Sequence, residues 1–255
     1  MKLMLKRQIQ WILQEKYNGK LTKAAKKDIE RLEKGEPVDY IIGFVEFLGC
    51  TIDLSKKPLI PRVETEFWVE KAIENISNPS TRYARSGQNL RILDIFAGSG
   101  CIGVAVLKHI KNSHVTFIDL EEKNLEQIKI NTSLIRANKR RYKIIQSNMF
   151  ERVVGKYDCI FANPPYIPEL RKTKVQKSVL KYEPKMALFG GGDGLFYIRK
   201  FLASAKNFLV ENGKIYMEFD SIQKTKIEKL LKKLKYQKWE FHKDQYRKWR
   251  WVVGG

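Results

Sequence analysis

Cysteine, histidine and long hydrophobic runs are scarce in this chain of 255 residues. The three cysteines (Cys50, Cys101, Cys159) and three histidines (His109, His114, His242) are too scattered for a disulfide framework or a zinc site. No apolar run approaches the roughly 18 residues of a membrane span. Residues 1–14 lack the apolar core of a signal peptide. The sequence therefore predicts a soluble, cytoplasmic protein with no metal and no membrane contact.

Acidic residues are also few relative to basic ones. There are 28 Asp and Glu against 49 Lys and Arg, which gives a net charge of +21. Such an excess favours an acidic partner, and nucleic acid or a ribonucleoprotein is the usual one. Many of the lysines fall within 224–235 on one helical pattern, where a solvated surface is the simpler explanation. Two interpretations of the charge stay open: a solvated lysine-rich surface, or transient proximity to the ribosome or to RNA.

The most informative segment is Asn163-Pro164-Pro165-Tyr166, which follows an apolar run, 157–162, typical of a buried strand. Two consecutive prolines fix φ at about −65° and remove two backbone donors, so the strand must end there. The corner then offers two acceptors, the Asn163 side-chain oxygen and the Pro164 carbonyl, with the Tyr166 ring beside them. These groups suit a planar NH2 group held by both hydrogens. A lone Asn-Pro-Pro is equally compatible with a plain strand-ending turn.

Upstream of this corner, the apolar run 91–96 leads into four small residues and an apolar helix pattern. The small residues are Ala97, Gly98, Ser99 and Gly100. The two glycines permit positive φ and let the backbone approach a ligand closely. A phosphate loop is excluded because the Gly-Lys-Ser/Thr ending is absent, and the dinucleotide fingerprint is imperfect. Asp119 ends the next strand pattern, where an acid hydrogen-bonds a ribose diol.

Together, the glycine turn, Asp119 and the 163–166 corner resemble a class I S-adenosylmethionine-dependent methyltransferase that acts on a planar nitrogen. The three elements occur in the right order and at the right spacing. The resemblance implies S-adenosylmethionine as the cofactor.

Strand and helix patterns alternate over most of the chain. The strand patterns are 91–96, 115–119, 142–146, 157–162 and 214–219, and the helix patterns include 101–111, 121–137 and 195–209, the last ended by Asn212-Gly213. Such alternation predicts an α/β fold with a mostly parallel sheet and helices on both faces. Two strand patterns within 236–253 have no helix between them and predict an antiparallel C-terminal edge hairpin. This ending distinguishes the Rossmann-like methyltransferase sheet from a dinucleotide-binding one.

Three parts are predicted along the chain. Residues 1–35 form a short helical N-terminal segment of two helices, 36–61 a β-hairpin linker, and 62–255 the class I methyltransferase domain. Within that domain, residues 78–89 read as a polar loop because they lack apolar periodicity.

Five further segments resemble the HemK family, the glutamine methyltransferases of peptide chain release factors. They are residues 36–43, 46–49, 59–66, 182–195 and 243–247. The resemblance extends over 36–253, nearly the whole chain. Asn-Pro-Pro-Tyr alone also fits adenine or guanine amine methyltransferases, whereas the segments Ile-Pro-Arg-x-Glu-Thr-Glu and Glu-Pro-x-x-Ala-Leu are more specific.

This resemblance implies methyl transfer to the side-chain amide of a release-factor glutamine, and it implies a role for each matched position. The residues that the resemblance implies for cofactor binding are Phe96, Ala97, Gly98, Ser99, Gly100, Asp119, Asn148, Met149 and Asn163. Catalysis falls to Asn163, Pro164 and Tyr166, with Pro165 joining them in holding the glutamine amide. Asp119 would bind the ribose hydroxyls, and Met149 would lie against adenine beside Asn148.

Three residues depart from the family pattern. Phe96 stands where a glycine is usual, so we expect the turn to begin in a conformation that a bulky residue tolerates. Asn148 replaces an acid that would accept from the adenine amine, and it can accept only without charge assistance. Asp220 occupies a usual glycine position. The N-terminal segment is also shorter than the family's substrate-docking helical domain.

Several interpretations stay open on the sequence. An adenine or guanine amine in RNA or DNA is an alternative substrate, favoured by the charge, although we find no added RNA-binding module. Methylation of a ribosomal-protein glutamine would use the same chemistry, and a non-catalytic binding module is a further alternative. Arg62, Glu64 and Thr65 either shape the cofactor entrance or brace a helix start.

Overall fold

The computed structural model describes residues 2–78 and 89–255. Residues 79–88, most of the predicted polar loop, lie outside the described residues. None of the helices in the described part of the chain has both the length and the apolar character needed to span a bilayer. Within the same residues, no group of three or more His, Cys, Asp and Glu side chains is arranged to hold a metal ion.

The N-terminal segment contains two helices, α1 (Lys2–Tyr17) and α2 (Lys23–Glu33), as the sequence predicts. Thr22 caps α2, because its side-chain oxygen accepts from the Ala25 amide at 3.1 Å. Apolar side chains of both helices pack with a third helix, α3 (Val38–Ile42), into a small separate core. This segment therefore has its own hydrophobic cluster.

The β-hairpin predicted within residues 36–61 is shorter than that range. Only β1 (Phe44–Phe47) and β2 (Cys50–Asp53) pair, in antiparallel register. Ile41 and Ile42 belong to α3, which Gly43 ends at φ 100°. They are helical because they pack against α1 and α2. The local alternation of apolar and polar residues cannot show a contact with such distant residues.

A seven-stranded sheet forms the centre of the molecule, in the order β5-β4-β3-β6-β7-β9-β8. Its strands are β3 (Leu90–Ile95), β4 (Ser113–Asp119), β5 (Tyr142–Gln146), β6 (Tyr157–Ala162), β7 (Leu209–Glu218), β8 (Trp239–Lys243) and β9 (Trp249–Gly254). Strands β3 to β7 are parallel, and β9 and β8 join them antiparallel. The α/β fold class and the C-terminal edge hairpin are confirmed.

Helices cover both faces of this sheet. They are α4 (Val63–Ser77), α5 (Cys101–His109), α6 (Glu122–Leu134), α7 (Lys177–Tyr182), α8 (Phe196–Ala205) and α9 (Lys224–Lys233). On one face, a core packs α4, α5 and α6 against strand side chains such as Ile92 of β3. On the other face, a second core packs α8 and α9 against side chains such as Leu93, the next residue of the same strand. Successive strand residues point to opposite faces, so a fully apolar strand supplies both cores.

The segment before β7 differs from the prediction. Helix α8 ends at Ala205, a short 3₁₀ turn covers 206–208, and the strand begins at Leu209. The ladder to β6 shifts register between Tyr157 and Cys159, and Asn212 adopts φ 57° opposite this shift. Leu209 continues the helical period by sequence, but its pairing with Tyr157 decides its structure.

Candidate active site

The parallel strands end in register, so the residues that follow them meet at one edge of the sheet. Ile95 pairs with Ala162, and Ala162 pairs with Met217 on the next strand. Ligands of open α/β sheets bind at the carboxyl ends of the strands. A cavity of about 340 Å³ opens at this edge, which makes it the candidate active site.

Most residues predicted for the site lie in the wall of this cavity. They are Phe96, Ala97, Gly98, Ser99, Asp119, Asn148, Met149, Asn163 and Pro165. Gly100, Pro164 and Tyr166 do not belong to the wall. Gly100 serves the turn beneath it, because it adopts φ 77° and a Cβ there would lie 2.9 Å from the Ile128 side chain. The structure thus brings the three sequence motifs together around one space.

Asp119 ties the end of β4 to the glycine turn. Its Oδ2 accepts from the Gly98 amide at 2.7 Å, and its Oδ1 accepts from the Glu121 amide at 2.9 Å and from Asn124 Nδ2 at 3.0 Å. The residue is only 8% exposed. Three donors therefore hold the carboxylate in one orientation, and Oδ2, which accepts from only one of them, retains a lone pair for a ligand.

Two bulky wall residues have left-handed backbones. Phe96 adopts φ 62° and Met149 adopts φ 52°. The expectation that the turn begins in a conformation suited to a bulky residue is wrong, because this region costs a non-glycine residue roughly 1–2 kcal/mol. The Phe96 ring packs edge-on against Tyr197 at 5.8 Å between centroids. Strain of this kind is concentrated at functional sites, where surrounding structure enforces it.

Asn148 has one end of its amide engaged. Its Nδ2 donates to Glu151 Oε1 at 2.5 Å. That contact fixes the nitrogen toward Glu151 and leaves the oxygen as the acceptor for another group. The role in adenine binding stays a prediction.

A buried acid that sequence reasoning left without a role lies beneath the glycine turn. Asp94 is fully buried, and its Oδ2 accepts from the Gly103 amide at 2.9 Å. Its Oδ1 finds no hydrogen-bond partner among the described residues. Burial raises the pKa of this carboxyl to about 8. Gly103 must stay small, since a Cβ would fall 2.2 Å from the Phe117 ring.

Behind Asn163, a hydrogen-bonded chain leads away from the cavity. Asn163 Nδ2 donates to Thr65 Oγ1 at 3.2 Å, and Thr65 donates to Glu218 Oε2 at 2.6 Å. Trp68 Nε1 donates to the same carboxylate oxygen at 2.6 Å. The Tyr166 hydroxyl donates to Glu218 Oε1 at 3.0 Å. The corner is therefore anchored to one buried acid on β7.

Glu218 and Trp68 are site residues that sequence reasoning missed. The available signal was an acid inside the apolar strand Met217-Glu218-Phe219, because a charge in such a run must be paired when it is buried. Nothing local identifies α4 as the element that supplies its partners.

Arg62 bridges two segments around the cavity. Its Nη2 lies 2.7 Å from Glu183 Oε1, and Glu183 Oε2 accepts from the Ile60 amide at 3.1 Å. Glu183 is buried, and residues 184–187 directly after it line the cavity. Arg62 and Thr65 also belong to the wall, whereas Glu64 does not. Arg62 thus pairs with Glu183 at the start of the loop whose residues 184–187 line the cavity.

Comparison with known proteins identifies the family. A family model described as Methyltransferase small domain matches residues 81–196. The release factor glutamine methyltransferase of Flavobacterium psychrophilum is 35% identical over 220 residues, 85% of this chain and 74% of that protein. The enzyme of the same name from Borreliella burgdorferi is 38% identical and covers 78% of this chain and 67% of that protein. The chain belongs to the release factor glutamine methyltransferase family.

Solved structures agree on the fold of this family member. The ribosomal protein L11 methylase of Lactobacillus delbrueckii subsp. bulgaricus has a TM-score of 0.56 at 16% identity, covering 80% of this chain and 83% of that one. The N-terminal domain of human METTL16, solved in complex with SAH, has a TM-score of 0.55 at 19% identity, covering 81% and 75%. The HemK resemblance and the Rossmann-like methyltransferase fold are confirmed.

The methyl donor of this release factor glutamine methyltransferase family member is S-adenosylmethionine, and the residues at the sheet edge fit that group. The Asp119 carboxylate is acceptor-only, and the remaining lone pair of its Oδ2 suits a ribose hydroxyl. Asn124 also lies in the wall, and its buried Oδ1 has no hydrogen-bond partner among the described residues. This oxygen can therefore accept a hydrogen bond from a ligand. The glycine turn supplies close backbone approach. The predicted cofactor is confirmed.

Proposed function

We propose that the protein methylates the side-chain amide nitrogen of a glutamine in a peptide chain release factor. The observation that carries this proposal is the orientation of Asn163. Its amide nitrogen donates to Thr65 at 3.2 Å, so its oxygen is the end left for a donor in the cavity. A planar NH2 group is the donor that such an acceptor suits, and the relatives named above supply the release factor as substrate.

The chain's contribution to the reaction is orientation. S-adenosylmethionine supplies an electrophilic methyl group. An amide nitrogen is a weak nucleophile because its lone pair is delocalised into the carbonyl, so holding it in line is the main requirement. Such alignment contributes roughly 7–11 kcal/mol. Asn163 Oδ1 and the Pro164 carbonyl would each accept one N–H, which favours positive charge developing on nitrogen. Tyr166 would pack on the flat amide.

The test is to locate the methyl label. The protein is incubated with methyl-labelled S-adenosylmethionine and either a release factor or total RNA, and the product is analysed by mass spectrometry. We expect the label on a glutamine side chain of the release factor. Label found only in RNA would make the amine methyltransferase alternative correct, and label in a ribosomal protein would replace the substrate while keeping the chemistry.

Asn163→Ala should slow this reaction by about 10²–10³, the cost of removing one group of this kind from a reaction site. Because the prolines still shape the corner, the variant should remain folded. Single-turnover methylation of a glutamine-bearing release-factor fragment measures the effect. Transfer at the wild-type rate would contradict the proposed role of Asn163.

We also propose how the chain is divided into functional parts, on the grounds of the family and of the packing of each segment. Residues 62–255 would be the catalytic domain, 36–61 a hairpin linker, and 1–35 the segment that docks the substrate. The linker packs closely, since the Leu48 amide donates to Glu66 Oε1 at 2.7 Å and Phe47 lies in the main core. The N-terminal helices keep a separate core, which suits an attachment for a partner.

The basic surface and the location of the protein are the remaining parts of the proposal. The net charge of +21 favours a ribosome-associated or otherwise acidic partner by general attraction, without sequence reading. A cytoplasmic location follows from a substrate that works in translation.

A further inference from the structure

Two short hydrogen bonds meet at one oxygen of Glu218. Thr65 Oγ1 and Trp68 Nε1 each lie 2.6 Å from Glu218 Oε2. These three residues are between 0% and 2% exposed, so water does not compete for the contacts. Thr65 Oγ1 in turn lies 3.2 Å from Asn163 Nδ2. A continuous chain of hydrogen bonds therefore joins a buried acid to the residue at the cavity.

A threonine hydroxyl carries one proton, and this limits the states of the chain. Two oxygens 2.6 Å apart need a proton between them. When Glu218 is ionised, the proton must come from Thr65, which can then only accept from Asn163. The Asn163 NH2 group faces Thr65 in this state, and its oxygen faces the cavity.

Protonation of Glu218 at Oε2, the oxygen that Thr65 contacts, reverses the order, whereas a proton on Oε1 would leave Thr65 a donor. The carboxyl proton then occupies the short contact, and the Thr65 proton is free to point at Asn163. Asn163 gains a hydrogen bond only by presenting its oxygen to Thr65, which turns its NH2 group toward the cavity. A substrate NH2 group would then meet another donor, so binding in the reactive orientation is lost.

We propose that Glu218 and Thr65 are positioning residues that set which end of the Asn163 amide faces the cavity, and that ionised Glu218 selects the acceptor end. This inference rests on the proposed function, since it concerns how Asn163 receives a substrate NH2 group. It extends the site to an acid that touches neither substrate nor cofactor.

The surroundings of Glu218 allow both protonation states. Its neighbours are Thr65 and Trp68 on α4, Cys101 at the start of α5, Tyr166 after β6 and Arg250 on β9. Burial raises the pKa of Glu218, while the hydrogen bonds from Thr65 and Trp68 and the charge of Arg250 oppose that rise. Arg250 is itself paired with Asp244 at 3.0 Å. The Cys101 thiol stays neutral because burial raises its pKa to about 12, and burial also holds the pKa of Tyr166 well above its usual range.

Glu218→Gln is the variant that separates positioning from structural support. Trp68 is a donor only, so the glutamine oxygen must take the place of Oε2 and accept from Trp68 and Thr65. Thr65 then remains a donor at every pH. The new NH2 group takes the place of Oε1 and donates to the Tyr166 hydroxyl, which can turn to accept.

The decisive measurement is the pH dependence of kcat/KM for a glutamine-bearing release-factor fragment. Wild-type kcat/KM should fall as pH is lowered through the raised pKa of Glu218. Glu218→Gln should lose this acid limb, whatever its maximal rate. An identical acid limb in both proteins would overturn the proposal, and so would a wild-type profile without an acid limb.

A second pair of variants tests Thr65 without touching Glu218. Thr65→Val keeps the side-chain shape and removes the hydroxyl, so kcat should fall by about tenfold or more, less than the ~10²–10³ expected at Asn163 itself. Thr65→Ser restores the hydroxyl and should recover most of that loss. The unfolding midpoint and calorimetric affinity for S-adenosylhomocysteine show whether the fold and the cofactor site are intact.

These outcomes are separable from failure of the proposed function. A wild-type protein that places no label on glutamine refutes the function. Wild-type labelling together with an unchanged Thr65→Val rate refutes only the positioning role. Loss in both Thr65→Val and Thr65→Ser, with normal folding, would also contradict it, because the hydroxyl would then not be the group that matters.

Discussion

Asp119 joins β4 to the glycine turn, and removing its carboxylate should weaken cofactor binding. Asp119→Ala deletes an acceptor that also holds the Gly98 amide at 2.7 Å. Hydrogen bonds to a charged group contribute about 1.5–3 kcal/mol, so affinity for S-adenosylhomocysteine should fall by that amount in calorimetry. Glu228→Ala on α9 removes a distant acid and serves as the control. Unchanged affinity in Asp119→Ala would exclude Asp119 from the site.

Asp94 should make stability depend on pH. Burial raises its pKa from 3.8 to about 8, so between these values the folded protein holds a proton that the unfolded chain releases. The stabilisation that protonated Asp94 contributes is complete below its ordinary pKa of 3.8, and it is lost as the pH rises through the folded-state pKa of about 8. Asp94→Asn keeps an acceptor for the Gly103 amide and cannot ionise.

Chemical denaturation at several pH values between ~6 and ~9 tests this linkage. The free energy of unfolding of the wild-type protein should fall more steeply with rising pH than that of Asp94→Asn. Parallel pH curves would show that Asp94 keeps the same protonation state throughout.

At the level of elements, the Arg62–Glu183 pair fastens the loop after α7 over the cavity. Arg62 is about one-third exposed, with 34% of its side chain accessible, whereas the Glu183 side chain is 1% exposed. Arg62→Ala would leave the buried Glu183 carboxylate with only the Ile60 amide to hydrogen-bond it among the described residues, at a cost of roughly 1–3 kcal/mol. Amide hydrogen exchange in residues 185–189 should therefore accelerate.

The control for this variant is Arg171→Ala. Arg171 pairs with Asp220 at 3.0 Å near the surface, so its loss should leave exchange in the loop unchanged. Equal exchange in Arg62→Ala and the wild type would mean that the loop is held by its packing alone.

For the whole molecule, charge should govern the encounter with the substrate. A net charge of +21 attracts an acidic partner, and this attraction weakens steeply with ionic strength. We expect kcat/KM for the full release factor, in its ribosome-associated form, to fall as salt is raised from ~50 to ~200 mM. Activity on a short neutral glutamine peptide is the control and should change little. Equal salt dependence for both substrates would contradict this prediction and would mean that the positive charge serves solubility and not substrate encounter.

Prediction from sequence succeeded where a structure depends on neighbours along the chain. The strand before Asn163, the turn at Gly98 and the acid at Asp119 each follow from a few consecutive residues. Their order then implies a parallel sheet whose strand ends meet. The backbone of Phe96 was predicted wrongly, because its φ of 62° is imposed by the surrounding turn and not by its own preference.

The sequence by itself determined the fold class, the cavity edge and nine of the residues in the cavity wall, because apolar periodicity and proline and glycine geometry act locally. Only the tertiary structure decided which groups support the site. Thr65 and Glu218 lie 153 positions apart in the chain, and Arg62 and Glu183 lie 121 apart. Buried polar groups must find partners wherever packing brings them, so those pairings exist only once α4 and the loop have docked on the sheet.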